Sequence, residues 1–366
     1  MTTSQQIQDD LAPMLGTVLG GKYRLDTIIG GGGMGAVFRG HHLQLRRDVA
    51  IKVLQPECSG DSELVKRFDR EARCAARLDH PNCVRAIEYG TTEDGTRYLV
   101  MELLEGVELQ QLVEGPVEPR RALDLILQVV RGLEHAHGQG LVHRDLKPQN
   151  ILVTREPEGR ELLKIVDFGI VKIVHGEGAQ EVMTRAGMVF GTPQYMSPEQ
   201  AQGQEIDARA DLYAVGVLLY TLVAGKLPFN SDNLIALIYM QVMEPPPPLP
   251  AAVPGELAAI ILRLLAKSKD HRFADAGALR MALERCRGLT ASGNTTDGYA
   301  ASAPDLANRS NGTPLPDALR PRTLRLLDTV VDGFSFHRRP WLRIALGAGL
   351  IIGLIIGVLL LLWLRS

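Results

Sequence analysis

The sequence predicts an α+β fold followed by a C-terminal transmembrane helix, and three observations support this prediction. The first is a β-rich, glycine-punctuated stretch over residues 23–53, which a helical pattern follows at 62–78. The second is a pair of longer and more apolar helical patterns, at residues 121–137 and 212–222. The third is an uncharged run of 21 residues at 344–364.

The composition is that of an ordinary globular protein. Apolar residues make up 45% and charged residues 22%, and 40 basic against 42 acidic residues give a formal net charge of −2. The apolar fraction excludes a collagen-like or wholly disordered chain, and the near-neutral charge argues against a dedicated nucleic-acid binder. The cysteines lie apart without CxxC spacing, which indicates reduced cytosolic thiols: Cys58, Cys74, Cys83 and Cys286.

The uncharged C-terminal run is long enough to cross a membrane, and it raises the mean hydropathy of the chain to +0.01. At about 1.5 Å per residue it spans roughly 32 Å, against a hydrocarbon core of about 30 Å. Trp341 and Trp363 stand where interfacial aromatic residues belong, so the predicted transmembrane helix covers residues 341–364. The alternative, a buried core helix, would rarely run this long without a polar residue.

The flanking charges predict the orientation of this span. Arg338, Arg339 and Arg343 precede it and only Arg365 follows, so the positive-inside rule keeps the N-terminal side in the cytoplasm. The first ten residues are polar and acidic and do not resemble a signal peptide. We therefore expect a single-pass protein of the cell (inner) membrane with no extracellular domain, which disfavours a receptor that senses an external ligand.

Small residues recur at every fourth position of the span, at Gly349, Gly353 and Gly357. Such a stripe lets two helix backbones approach closely in lipid, so it favours self-association. The alternative is the glycine content that transmembrane helices have in general.

The remaining segments set the domain boundaries. Residues 288–340 are rich in Ser, Thr, Gly, Asn and Pro, which predicts a flexible juxtamembrane linker; its later part fits a solvated chain or a segment on the membrane surface. Residues 1–22 form a predicted N-terminal tail, which leaves 23–287 as the folded domain. Four prolines at 245–248 fit a surface loop between helices or a polyproline II ligand.

A glycine-rich motif, GGGGMGAVF, occupies residues 30–38 near the start of the folded domain. Because β-type residues follow the glycines, the motif fits a strand–turn–strand whose backbone N–H groups approach phosphates, rather than a strand–helix unit. A structural hairpin is the alternative. The VAIK sequence at 49–52 then brings Lys52, which would pair with phosphate oxygens, and Glu71 on the next helix would hold that lysine.

The most specific signal is HRDLKPQN at residues 143–150, which DFG follows at 167–169. Phosphoryl transfer requires positioning and charge neutralisation more than covalent chemistry. Asp145 would accept or orient the proton of a substrate hydroxyl, and Lys147 would offset charge on the moving phosphoryl group. Asn150 and Asp167 supply the hard oxygen ligands that phosphate-bridging metal ions prefer.

Taken in this order, and with SPE at 197–199, residues 23–287 resemble the protein kinase family. GGGMGAVF and GTPQYMSPEQ resemble most closely the bacterial eukaryotic-like (Hanks-type) serine/threonine kinases. The resemblance implies a two-lobed protein kinase fold, with a β-rich N-lobe to about Glu102 and a helical C-lobe. It also implies transfer of the γ-phosphate of ATP, with Mg²⁺ or alternatively Mn²⁺, to serine and threonine hydroxyls of cytosolic protein substrates.

The resemblance assigns further residues. Met101 would be the gatekeeper, Glu102 and Leu104 would offer hinge backbone groups, and Thr192 would contact the catalytic aspartate and lysine at the substrate site. Asp211 matches a buried support of the HRD backbone, and Glu199 and Arg272 match a structural ion pair. The implied nucleotide site comprises Ile29, Gly30, Gly31, Gly32, Gly33, Met34, Gly35, Ala36, Val37, Ala50, Lys52, Met101, Glu102 and Leu104.

The resemblance extends to regulation. Arg144 precedes the catalytic aspartate, as in kinases whose activation segment is ordered by phosphate, and Thr184 is the predicted autophosphorylation site. SPE replaces the usual APE, and the segment between Asn150 and Asp167 is longer than usual, which predicts an extended hairpin. A catalytically silent scaffold of the same fold is the alternative, although such proteins usually lack Lys52, Asp145 or Asp167.

Overall fold

The structure, a computed structural model, describes residues 12–32, 35–54, 62–112, 115–156, 158–168 and 193–291. The predicted transmembrane helix with Gly349, Gly353 and Gly357, nearly all of the linker, and Thr184 and Thr192 lie outside these ranges. Within these ranges, no helix is both long and apolar enough to cross a bilayer.

A six-stranded antiparallel sheet forms the N-lobe, with strand order β1-β2-β3-β4-β6-β5. Val18 and Leu19 pair with Arg24 and Tyr23, so the sheet begins within the residues that the sequence predicts as a tail. The strands and the helix inserted between β4 and β5 are β1 (Val18–Leu19), β2 (Tyr23–Gly32), β3 (Gly35–His42), β4 (Arg47–Leu54), α1 (Ser62–Ala75), β5 (Ala86–Thr91) and β6 (Arg97–Glu102).

Alternation along β4 divides the N-lobe core in two. Val49 and Ile51 pack into one cluster on one face of the sheet, while Ala50 and Leu54 pack on the other face against α1. Because side chains alternate between the faces of a strand, Lys52 shares the face of Ala50 and Leu54. The sheet therefore directs Lys52 toward α1, the helix that carries Glu71.

The C-lobe is mostly helical. Its most buried helix, α4, is apolar on all sides, and every residue from 210 to 223 is buried, as expected of a helix at the centre of a domain. The predicted helices at 121–137 and 212–222 lie within α2 and α4. The α-helices that the structure describes in the C-lobe are α2 (Pro119–Gly138), α3 (Pro198–Ala201), α4 (Arg209–Ala224), α5 (Leu234–Met243), α6 (Gly255–Leu264) and α7 (Ala276–Ala291).

A second, three-stranded antiparallel sheet follows the hinge, with β7 (Gly106–Glu108), β8 (Ile151–Arg155) and β9 (Glu161–Ile165) in that order. The hairpin of β8 and β9 is the predicted extended hairpin. It connects the HRDLKPQN segment at residues 143–150, here called the catalytic loop, to the DFG motif. Residues 245–248 lie between α5 and α6, as the surface-loop interpretation expects. Together the two sheets and the helices confirm the predicted two-lobed α+β fold.

Candidate active site

Lys52, Glu71 and Asp167 form one ion cluster. Lys52 Nζ donates to Glu71 Oε1 at 2.5 Å and to Asp167 Oδ1 at 3.0 Å. The side chains of Lys52 and Glu71 are 13% and 7% exposed, whereas Asp167 is 47% exposed. The cluster therefore anchors Lys52 in the N-lobe and leaves the carboxylate of Asp167 open to a ligand.

The charges of the cluster fix its protonation. Burial lowers the pKa of Lys52, but the charges of Asp167 and Glu71 outweigh burial and raise it above its usual range. The positive charge of Lys52 lowers the pKa of Asp167 against the effect of burial. Burial and the neighbouring Asp167 raise the pKa of Glu71, although Lys52 opposes them. The lysine thus stays charged, and Asp167 is the more strongly ionised of the two carboxylates.

The catalytic loop brings Asp145, Lys147 and Asn150 together. Lys147 Nζ donates to Asp145 Oδ2 at 2.9 Å, and Asn150 Nδ2 donates to the Asp145 carbonyl at 2.8 Å. The positive charge of Lys147 helps to lower the pKa of Asp167, so this loop lies beside the ion cluster. Among the described residues, Asp145 Oδ1 and Asn150 Oδ1 have no hydrogen-bond partner, so they can receive a substrate hydroxyl and a cation.

Asp211 supports the catalytic loop from below. Its two carboxylate oxygens accept the backbone N–H groups of His143 and Arg144, each at 2.8 Å, and its Oδ2 also pairs with His137 Nε2 at 2.8 Å. Arg144 has a φ of +66°, a conformation that non-glycine residues rarely adopt. The predicted support of the HRD backbone by Asp211 is therefore present, and it stabilises the unfavourable backbone conformation of Arg144.

His143 connects the catalytic loop to the DFG motif, a role that the sequence reading did not assign. Its Nδ1 lies 3.3 Å from the Asp145 N–H and its Nε2 lies 3.2 Å from the Val166 carbonyl. In these contacts Nδ1 accepts a hydrogen bond and Nε2 donates one. The ring also packs on Phe168, with centroids 4.9 Å apart. Its place in the HRD motif was the signal that could have revealed this role.

Several residues of the implied nucleotide site line an apolar wall. Ala50 and Met101 are buried in one cluster, and Val37, Leu104 and Val166 pack against it. Val166 was missed, although its position directly before Asp167 was a usable signal. Ile29 is 52% exposed, as an apolar residue that covers a ligand would be.

The glycine-rich motif lies on two paired antiparallel strands, as the strand–turn–strand interpretation expects. Gly30, Gly31 and Gly32 on β2 pair with Val37, Ala36 and Gly35 on β3. Gly33 and Met34, which connect the two strands in the sequence, lie outside the described residues. Ala36 is fully buried in the cluster on the opposite face from Val37, so it can offer a nucleotide only its backbone.

At the hinge, Glu102 acts structurally through its side chain. Glu102 Oε1 accepts from Lys164 Nζ at 2.6 Å and from the Arg85 N–H at 2.8 Å. Its own N–H donates to the Arg85 carbonyl at 3.0 Å, so a base at the hinge would have to use the Glu102 carbonyl.

These residues fit a nucleotide with a magnesium ion. In the part of the chain that the structure describes, no group of three or more His, Cys, Asp or Glu side chains could hold a metal by itself. Mg²⁺ is commonly held by one or two carboxylates together with substrate phosphates rather than by an all-protein cage. The exposed carboxylate of Asp167 and the amide oxygen of Asn150 offer such a partial set.

The structural ion pair inferred for the C-lobe is present. Arg272 donates to Glu199 through two nitrogens at 2.7 Å each, and both side chains are buried. The pair ties α3, at the end of the segment that follows DFG, to the loop before α7.

Comparisons with known proteins agree with this geometry. Residues 23–283 match the family model described as the protein kinase domain. The chain is 40% identical over 320 residues to serine/threonine-protein kinase pkn3 of Myxococcus xanthus, covering 84% of this chain and 58% of that protein. It is 42% identical over 273 residues to serine/threonine-protein kinase PknA of Mycobacterium tuberculosis, covering 73% and 62%. The chain thus spans about three fifths of the length of these relatives.

A solved structure is similar as well. The chain resembles a double-mutant form of the Mycobacterium tuberculosis PknI kinase domain with a TM-score of 0.56 and 26% identity, covering 75% of this chain and 98% of that one. The match extends over both lobes, since it covers nearly all of a solved kinase domain. The family model alone covers well over half of the chain. This chain therefore belongs to the protein kinase family, and its curated relatives are bacterial serine/threonine-protein kinases.

Proposed function

We propose that the chain is an ATP-dependent protein serine/threonine kinase that transfers the γ-phosphate to hydroxyl groups of cytosolic proteins. One observation carries the proposal: Lys52 is held between Glu71 and Asp167 in the same site where Lys147 holds Asp145. In-line transfer needs the Lys52 cluster to position the phosphates and the pair of Lys147 and Asp145 to position the accepting hydroxyl.

Each group in the site has a task in this reaction. Lys52 binds phosphate oxygens, and the free oxygen of Asp145 orients the substrate hydroxyl and receives its proton. Lys147, 2.9 Å from Asp145, offsets the charge that spreads over the transferred group. Bound Mg²⁺ supplies further neutralisation of phosphate charge, with Asp167 and Asn150 as its protein ligands. The lysine two residues after Asp145, together with the names of the relatives, supports serine and threonine rather than tyrosine as acceptors.

Transfer from radiolabelled ATP to a generic protein substrate tests the proposal. The wild-type chain should label serine and threonine, and Lys52→Met should abolish the label while the protein stays folded. A catalytically silent scaffold would instead bind ATP and leave the substrate unlabelled in both proteins. Phosphoamino acid analysis that found phosphotyrosine alone would contradict the proposed specificity.

Autophosphorylation of Thr184 is part of the proposal. Burial lowers the pKa of Arg144, and the positive charge of Arg70 on α1 lowers it further against the effect of Asp211. Two cationic groups near each other are stabilised by an anion, and a phosphate carries a charge of about −1.5 to −2. Phosphopeptide mapping should find Thr184 modified in the wild type and unmodified in Asp145→Asn; an unmodified Thr184 in active protein would refute this part.

We further propose a single-pass anchor in the cell membrane through residues 341–364, with the kinase domain in the cytoplasm. The support is the uncharged run of 21 residues at 344–364 with its flanking arginines. The full chain should sediment with membranes and resist alkaline extraction, whereas a chain that ends at residue 340 should not. Equal membrane association of both chains would contradict the anchor.

Self-association through Gly349, Gly353 and Gly357 is the last part of the proposal. It would raise the effective concentration of one kinase domain near another and favour phosphorylation between copies. Gly353→Ile should reduce both crosslinked dimer in membranes and Thr184 phosphorylation. A variant that dimerises normally would rule this part out.

A further inference from the structure

Gln200 joins the short helix α3 to the catalytic loop. Its Nε2 donates to the Arg144 carbonyl at 2.7 Å, and its Oε1 accepts the Ser197 N–H at 3.0 Å. The Gln200 N–H in turn donates to Ser197 Oγ at 3.4 Å, so Ser197 and Gln200 form a capping box at the start of α3. Only this orientation of the amide gives the backbone carbonyl a donor and the backbone N–H an acceptor.

The carbonyl that Gln200 holds belongs to the peptide bond that leads into Asp145. The N–H of that same peptide bond donates to His143 Nδ1 at 3.3 Å, so both of its polar groups are held. On the other side of Arg144, the N–H donates to Asp211 at 2.8 Å. Because Arg144 has a φ of +66°, its backbone stays in place only while such contacts hold it. Rotation of this peptide bond would turn the Asp145 side chain away from its position.

Little water can replace the amide of Gln200. A cavity of about 10 Å³ adjoins Gln200, Arg144 and Asp145. This volume is at the lower limit of the space that one water molecule needs. A long side chain without a donor at position 200 would therefore remove the hydrogen bond that Gln200 donates to the Arg144 carbonyl.

We propose that Gln200 is a positioning residue for phosphoryl transfer: its amide fixes the peptide bond between Arg144 and Asp145 and so couples α3 to the catalytic aspartate. The inference rests on the proposed kinase function. It separates two tasks of one side chain, since the oxygen caps α3 and the nitrogen holds the catalytic loop.

Two substitutions separate these tasks. Gln200→Glu keeps the oxygen that accepts the Ser197 N–H and thereby completes an S-x-x-E capping box, but it has no donor for the Arg144 carbonyl. Gln200→Met has neither group and adds no charge beside Asp145. Both side chains fill the space that an alanine would open to water. Ser197→Ala is the matched control, because it removes the hydroxyl of the capping box and leaves the Gln200 amide on Arg144.

The measurement is kcat and KM for ATP in the full chain, with the thermal midpoint of each variant recorded alongside. Gln200→Glu and Gln200→Met should lower kcat about 10- to 100-fold, the effect of one unmade hydrogen bond to a buried carbonyl, with KM for ATP unchanged. Gln200→Glu should lower the thermal midpoint less than Gln200→Met does, because it keeps the cap of α3. Ser197→Ala should lower the midpoint and keep a kcat near that of wild type.

Two results would overturn the inference. One is a wild-type kcat in both Gln200 variants. The other is a loss of kcat in Ser197→Ala as large as that in Gln200→Met, since this would reduce the role of Gln200 to helix capping. A wild-type chain that transfers no phosphate at all would instead overturn the proposed function on which the inference rests.

Discussion

Two guanidinium nitrogens of Arg272 donate to Glu199, one to each carboxylate oxygen at 2.7 Å, and the side chains of Arg272 and Glu199 are 0% and 3% exposed. Arg272 also donates to the carbonyls of Ala266 and Arg209, at 2.9 Å each. The contacts of this one buried arginine therefore fix the positions of α3, the start of α4 and the loop before α7 relative to one another. Such a pair is costly to break, because the partner that remains is a buried charge without compensation.

Glu199→Gln should lower the free energy of unfolding of the C-lobe by about 3 to 5 kcal/mol, because it leaves Arg272 buried without an opposite charge. Chemical denaturation measures the loss. Arg160→Ala is the control, since Arg160 is 74% exposed in its pair with Glu156 and should change stability by less than about 1 kcal/mol. Equal effects of the two substitutions would contradict the importance of the buried pair.

Glu71→Gln should reduce kcat about 10- to 100-fold, because Lys52 loses a charged partner at 2.5 Å and is drawn toward Asp167 alone. Steady-state kinetics with a peptide substrate measures the effect. Glu88→Gln on the same lobe breaks the exposed pair with Lys22 and should leave kcat unchanged. A wild-type rate in Glu71→Gln would show that Asp167 alone suffices to position the lysine.

Asp211→Asn should lower both stability and kcat, because the amide nitrogen of asparagine cannot accept one of the two backbone N–H groups. The expected loss of stability is about 1 to 3 kcal/mol. Burial raises the pKa of Asp211, but the hydrogen bond from His137 and the backbone N–H of His143 outweigh burial and lower the pKa from its usual value of 3.8. The contribution of Asp211 is therefore present above pH 3.8 and is lost as the pH falls through the lower pKa of the folded state.

The asparagine variant should accordingly show a smaller loss of stability on acidification than the wild type. Urea denaturation at a series of acidic pH values measures both slopes. Parallel pH profiles of the two proteins would contradict the assignment.

Lys267 should make stability rise with pH. Its Nζ donates to the carbonyls of Met240 and Gln241 at the end of α5 and lies 4.0 Å from the centre of the Phe229 ring. Burial lowers the pKa of Lys267 from 10.5 to about 8. Between these two pH values the unfolded chain binds one more proton than the folded chain, so the free energy of unfolding increases with pH.

The increase amounts to at most about 3 kcal/mol between the two pKa values. Urea denaturation between pH 7.5 and 10.5, roughly the window these pKa values define, measures it. Lys267→Met should remove this increase while the titration of other groups persists. A variant with the same pH slope as wild type would show that Lys267 titrates normally in the folded state.

Much of the site could be predicted from the sequence because its parts lie in short, specific motifs. HRDLKPQN places Asp145, Lys147 and Asn150 within eight residues, so their proximity needs little knowledge of the fold. The pairing of Lys52 with Glu71 follows from strand alternation on β4 and the helix that comes next. The apolar helices α2 and α4 are long enough for their periodicity to be plain.

Other features depend on contacts between distant parts of the chain. The strand β1 has two residues, too few for any periodic pattern, and only its pairing with β2 reveals it. The hydrogen bond from Gln200 to the Arg144 carbonyl joins residues 56 positions apart, and that from Lys267 to Met240 joins residues 27 apart. In both of these hydrogen bonds a polar side chain donates to a backbone carbonyl, and the sequence does not indicate which carbonyl accepts.

In the proposed reaction, the carboxylate of Asp145 orients the substrate hydroxyl and receives its proton. The most direct test of this role is the initial rate of phosphate transfer from ATP to a serine peptide, measured for wild type and Asp145→Asn at equal nucleotide occupancy. Asp145→Asn should bind ATP with wild-type affinity, because Lys52 and Asp167 are untouched, and should lose transfer by at least about 100-fold. Transfer by Asp145→Asn at the wild-type rate would contradict this role.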